Sequence, residues 1–213
     1  MSVISNIQIY GLAESIYRSG YPMMSKPPTE TEFNNEVSKI EKDIINKNFE
    51  NIHIKRAISL ANAKGGGHNQ FLTGIIAQFD LSFTNKAWVE AERYKFLDFI
   101  SSMSTMHRIG KIDIDNCCND YVSEDILNVV NQLKQEYDNV PDYMIAKKKE
   151  AYLKLLYNLP SGLIITAGMT TNYRCLQNMF QQRKTHRLPE WREDFCIEIK
   201  TFPMAKELII NGE

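Results

Sequence analysis

The clearest alternation of apolar and polar positions lies in residues 74–83, GIIAQFDLSF, where Ile75, Ala77, Phe79 and Leu81 share one side of a strand. A second strand is predicted over 162–169, and a short one over 6–10, with Ile7 and Ile9 inward. Helical periodicity dominates elsewhere. LAESIYRS predicts a brief helix ending at Gly20, and the proline-bearing GYPMMSKPPTET a loop. Thr29 or Thr31 then starts a helix over 32–48, with Phe33, Val37, Ile40, Ile44 and Ile45 on one side. Helix resumes over 51–63, with Ile52, Ala57, Leu60 and Ala61 available for packing.

Thr84 is placed to cap a long helix over 85–102, with Ala87, Ala91, Tyr94 and Asp98 along one side. Trp88, Phe96, Leu97, Phe99 and Ile100 add so much apolar surface that this helix is expected at the centre, with Arg93 and Lys95 snorkelling outward. Ser123 caps another to about Tyr137, with Ile126, Val129, Val130 and Leu133 inward. Pro141 opens one through Tyr157, whose Lys147-Lys148-Lys149 run is expected on an exposed face. The last helix, over 190–210, is interrupted at Pro203. Two or three strands among six or more helices make the class α+β.

The segment 170–191 carries the most chemistry. Thr170 or Thr171 caps it and Asn172 opens the turn, after which Leu176, Met179, Phe180 and Arg183 fall on one face. An arginine completing an apolar stripe is costly unless its guanidinium meets an anion or a paired carboxylate. Arg174 begins a second face, followed by Gln177 and Gln181.

A length of 213 residues fits a single α+β domain over 1–213. With 43% hydrophobic and 24% charged residues the composition is that of a globular protein. A net charge of −1 excludes a general nucleic-acid coat but leaves room for one basic pocket for a phosphate. No apolar run reaches the roughly 18 residues of a membrane span, and the N-terminus lacks the pattern of a signal peptide. Cys117 and Cys118 match no zinc spacing, and Cys175 and Cys196 lie in helical patterns as small core residues, so a reducing cytoplasm is expected. The three glycines of KGGGHNQF invite a phosphate cradle, but the Walker spacing is absent and a helix-to-strand connection is the plainer reading. DIDNCCND lacks the glycine and the terminal acid of a calcium loop.

The C-terminal pattern resembles the signature of flavin-dependent thymidylate synthases, T-x-N-x-R-S-L, then L-x-L-R, then H-A-Q-W. Here it stands as Leu159-Pro160, Asn172, Arg174, Leu176, Phe180, Arg183, His186 and Trp191, with a longer gap between the last two. The resemblance implies a small sheet with many helices and a homotetramer whose active sites form between subunits. It assigns Asn172, Arg174 and His186 to flavin (FAD) and Arg183 to the nucleotide, a dUMP-type pyrimidine, with Arg183 also the catalytic candidate. His68, in a G-H-x-x-x-F-like segment one residue short, would border the flavin. NADPH and methylene-tetrahydrofolate are the implied co-substrates of an active enzyme. The family's central motif, R-H-R-x-x-S-x-N-E-x-S-x-R-Y, corresponds to Arg93, Lys95, Ser101, Ser102, Ser104 and Arg108 as nucleotide contacts. On one alignment the R-H-R reads Tyr94-Lys95-Phe96, on the other it begins at Arg93, and the Asn-Glu pair is missing. Three readings follow: a flavoenzyme methylating a pyrimidine deoxynucleotide, a nucleotide-binding derivative with altered or lost chemistry, and an interaction protein that keeps only the fold.

Overall fold

The computed structural model describes residues 3–63 and 67–210. Its elements run β1 (Ile4–Tyr10), α1 (Leu12–Arg18), α2 (Glu30–Ile45), α3 (Ile52–Ala61), β2 (Ile76–Thr84), α4 (Asn85–Ala91), β3 (Asp98–Ser102) and α5 (Thr105–Arg108). There follow α6 (Glu124–Asn139), α7 (Ile145–Tyr157), β4 (Ile164–Asn172), α8 (Tyr173–Arg183), α9 (Cys196–Ile199) and α10 (Ala205–Leu208), with a π-helical turn over Glu190–Phe195 before α9. The strands form a small antiparallel sheet in the order β1-β2-β4-β3. The α+β class therefore holds, with four strands among the described residues. The chain divides into two compact units. One comprises Met1–Asp80, Tyr94–Asp98 and Met169–Glu213, the other Leu81–Arg93 and Phe99–Gly168.

In the first unit the alternation works as expected, burying Ile75 just before β2 and Ala77 and Phe79 within it. Thr29 closes a reciprocal capping box with Glu32 at the start of α2. Val37 and Ile40 are buried there, whereas Ile45 ends the helix exposed. In α3 the buried face is Ile54, Ala57 and Ala61, and Ile52 points to solvent. The predicted stripe of α8 is buried from Leu176 to Arg183. Gln177, expected on a polar face, is buried instead. Its amide nitrogen donates to the carbonyls of Ala61 (3.1 Å) and Leu208 (3.2 Å), and its oxygen accepts from Asn69 (2.7 Å). One side chain thereby ties α8 to α3 and α10. Beyond Pro203, Met204 takes the left-handed backbone (φ 54) that separates α9 from α10.

In the second unit the long helix expected over 85–102 is absent. Thr84 does cap a helix, its Oγ accepting the Ala87 N–H at 3.1 Å, but α4 stops at Ala91. The following residues turn and become β3, whose five residues are all exposed. Phe96, Phe99 and Ile100, expected at the centre, are exposed too. The reason is tertiary: aromatic and β-branched residues suit an edge strand as well as a helix, and pairing with β4 decides between them. A core of Ile109, Ile114, Val130 and Leu155 forms where α6 meets α7. Leu127, Leu133 and Tyr137 complete it, so Ile126 and Val129 lie outside. Lys148 is not part of an open basic face. Its ammonium donates to the Tyr137 and Val140 carbonyls, each at 2.9 Å, and sits 4.2 Å from the Tyr137 ring centroid, closing the end of α6.

Candidate functional site

The start of α8 is set by Asn172, not by Thr170 or Thr171, which belong to β4. The Asn172 Oδ1 accepts the Cys175 N–H at 2.9 Å, so strand and helix meet at a capped corner. One face of α8, the 3₁₀ segment Gln70–Gly74 and residues 94–96 surround a cavity of about 690 Å³. Its polar lining includes Asn172, Arg174, Lys95, Gln70, Asn178 and Gln182. Thr73, Tyr94, Phe96 and Cys175 complete it. Two lining residues are cationic and none is acidic, which makes the cavity an anion-attracting one.

Arg174 is steadied by donating to the Gln70 amide oxygen. Phe96 is exposed and holds a left-handed backbone, φ 67, a conformation costing a bulky residue roughly 1–2 kcal/mol. That strain holds an aromatic ring at the cavity instead of in the core. Cys175 is buried, its Sγ donating to the Lys95 carbonyl at 3.5 Å, and burial pushes its thiol pKa up. It is a wall, not a nucleophile.

Arg183 is buried against aromatic side chains. Its Nε donates to the Tyr94 hydroxyl at 2.6 Å, and its guanidinium carbon lies 4.7 Å from the Trp191 ring and 5.1 Å from the Tyr94 ring. The residue is only 7% exposed. Two aromatic faces and a hydroxyl are among the groups that surround the charge. The Tyr94 hydroxyl in turn donates to the Gln182 Oε1 at 3.0 Å. His186 sits beyond, its Nδ1 accepting from the Leu188 N–H at 3.2 Å and its ring 6.4 Å from Trp191. Burial moves the neighbouring Cys196 thiol up to about 11, despite the Lys200 and Arg183 charges that pull it down.

Of the residues singled out from sequence, Asn172, Arg174 and Lys95 come together around the cavity. Arg183 stands behind Tyr94, and His186 and His68 are outside the lining, His68 in an exposed turn. Arg93, Ser101, Ser102, Ser104 and Arg108 belong to the second unit. There Arg93 pairs with Glu90 at 3.2 Å, Ser101 and Ser102 are exposed on β3, and Ser104 caps α5 by accepting the His107 N–H at 3.3 Å. Arg108 is exposed at the end of α5. Tyr94, Asn178 and Gln182 also line the cavity and are not among the residues singled out from sequence. The last two had a signal, since Arg174, Asn178 and Gln182 repeat every fourth residue along one face of α8.

The crystal structure of flavin-dependent thymidylate synthase ThyX from Helicobacter pylori, complexed with FAD and dUMP, is similar over 99% of both chains, with a TM-score of 0.62 and 12% identity. A second structure of that protein with FAD and dUMP, covering 99% of this chain and 98% of its own, gives 0.56, again at 12%. The fold is that of ThyX. No protein-family model matches the chain, and no curated protein is similar to it in sequence. At such identity the ThyX fold is what the likeness carries, and each side chain has to be argued for itself.

Proposed function

We propose that the protein binds a pyrimidine deoxynucleotide of the dUMP type together with a flavin, as a divergent thymidylate synthase-like protein whose methylation chemistry is weak or lost. The observation that carries this reading is the cavity at the head of α8. Asn172, Arg174 and Lys95 line it, no acidic side chain opposes them, and a strained, exposed aromatic ring stands beside them. Cationic donors and a flat apolar face suit an anionic, planar ligand, so FAD fits the residues present. FAD, when bound, supplies the hydride; the chain's own groups bind and orient.

The chemistry is where the chain departs from the family motif. Lys95 brings a point charge in place of a planar fork, and Phe96 brings no donor. Loss of one preorganised donor typically costs about 100-fold or more in rate. A homotetramer agrees with the apolar side chains exposed on the second unit, among them Phe99, Ile100, Met103, Ile126 and Val129. A cytoplasmic setting agrees with four cysteines that are all free. No helix among the described residues is long and apolar enough to cross a membrane.

The test is direct. The purified protein is titrated with FAD and with dUMP, then supplied with both plus NADPH and methylene-tetrahydrofolate. Saturable binding with slow or undetectable thymidylate formation is the expected result. Failure to bind either ligand overturns the reading, and thymidylate formation at an ordinary enzymatic rate overturns its second half.

A further inference from the structure

The polarity of the cavity wall is not left to chance, because its amide oxygens are occupied from within. The Asn172 oxygen accepts from Cys175, the Gln70 oxygen from Arg174, and the Gln182 oxygen from Tyr94. Each amide therefore has its nitrogen end left for a ligand. The Gln182 oxygen is the end of a short chain of bonds, in which the Tyr94 hydroxyl accepts the Arg183 Nε–H at 2.6 Å and donates to the Gln182 Oε1 at 3.0 Å. Arg183 itself is held between the Tyr94 and Trp191 rings, at 5.1 and 4.7 Å.

We propose that Arg183 is a positioning residue that acts through Tyr94 to fix Gln182 with its amide nitrogen toward the cavity, so that the wall selects a ligand edge made of hydrogen-bond acceptors. The chemical class is an anion whose ring or phosphate offers oxygens and no competing donors along that edge. This rests on the flavin-nucleotide reading and adds to it a residue, Gln182, that the family pattern does not point to. Arg183 then serves the site without touching the ligand.

The experiment is a double-mutant cycle on the full-length protein, with FAD and dUMP each titrated by calorimetry and folding checked by thermal melting. Gln182→Ala is expected to weaken the ligand that meets this wall about tenfold, the size of one hydrogen bond. Tyr94→Phe, which lets the amide turn over, is expected to weaken it several-fold in the native background and not at all when Gln182 is already alanine. Gln182→Glu, which replaces the donor by a charged acceptor, is expected to weaken it more than alanine does. A merely structural Tyr94 would lower affinity equally in both backgrounds, and that additivity overturns the proposal. So does an affinity unchanged in Gln182→Ala and Gln182→Glu. If the wild-type protein binds neither FAD nor dUMP, the flavin-nucleotide reading falls and this inference falls with it; additive losses on a wild type that binds overturn this inference alone.

Discussion

Replacing Arg183 by methionine keeps most of the side chain's volume and removes its charge and donors, which separates two accounts of why an arginine ends the apolar stripe of α8. An arginine held out for a phosphate contributes little to folding in the absence of that phosphate. An arginine caged in the fold contributes a great deal. The Nε–Tyr94 hydrogen bond involves a charged donor and is worth about 1.5–3 kcal/mol. The two ring contacts, at 4.7 and 5.1 Å, add on the order of 1 kcal/mol each in so dry a setting. Relief from burying a charge returns part of this. The net loss expected for Arg183→Met is about 3 kcal/mol, read as a lower urea midpoint at unchanged slope. Lysine is expected to recover only a fraction, having neither the Nε donor nor a planar face to stack. A loss under about 1 kcal/mol for Arg183→Met, measured without ligand, would refute the cage and return Arg183 to the role of a ligand contact.

Two further outcomes follow from the same geometry. Lys148→Met is expected to cost about 1–2 kcal/mol in denaturant unfolding, because two carbonyls at the end of α6 lose their donor, while Lys147→Met stays within about 0.5 kcal/mol. His53 has its pKa lowered below 6.5 by burial first and by the Arg56 charge second, against the pull of Glu36. The unfolded chain therefore takes up the proton before the folded one does. The His53 contribution is complete above pH 6.5 and is lost as the pH falls through the folded-state value. His53→Gln is expected to flatten that part of the stability–pH curve, and an unchanged acid limb would count against it.

What could be read from the sequence was whatever depends on period. Ile75, Ala77, Phe79 and Leu81 announce β2, and Leu176, Met179, Phe180 and Arg183 announce the buried face of α8, because burial on one side leaves a repeat that no other segment need complete. Periodicity failed over 85–102, where apolar residues occur in every phase and neither Gly nor Pro marks the end of α4. The helix has ended by Glu92, and the turn that leads into β3 carries Phe96, a residue with no intrinsic preference for its φ of 67. In α6 the expected inward face was Ile126, Val129, Val130 and Leu133; packing against α7 keeps Val130 and Leu133, adds Leu127 and leaves Ile126 and Val129 exposed. Of the cavity lining, Asn172, Arg174 and Lys95 were legible. The uses made of amides were not, since Gln177 as a buried tie and Gln182 as a cavity wall are the same residue type five positions apart.

This bears on how far a motif match carries. Arg183 occupies the turn of α8 that the family pattern reserves for an arginine, yet the residue that fills its surroundings is Tyr94, from the very stretch where the R-H-R pattern has changed. A hydroxyl and an aromatic face in that place hold the guanidinium by its Nε edge and stack on it. The attraction for an anion then rests on Lys95 and Arg174, one a flexible point charge and the other a planar fork already steadied by Gln70. Two such groups are enough to concentrate and orient a phosphate-bearing ligand. Stabilising charge that develops during a reaction asks for more, because the donors must already stand where the new charge will be. Tyr94 and Arg183 are thus joined by one hydrogen bond and one ring contact, so a substitution at either is expected to disturb the setting of the other.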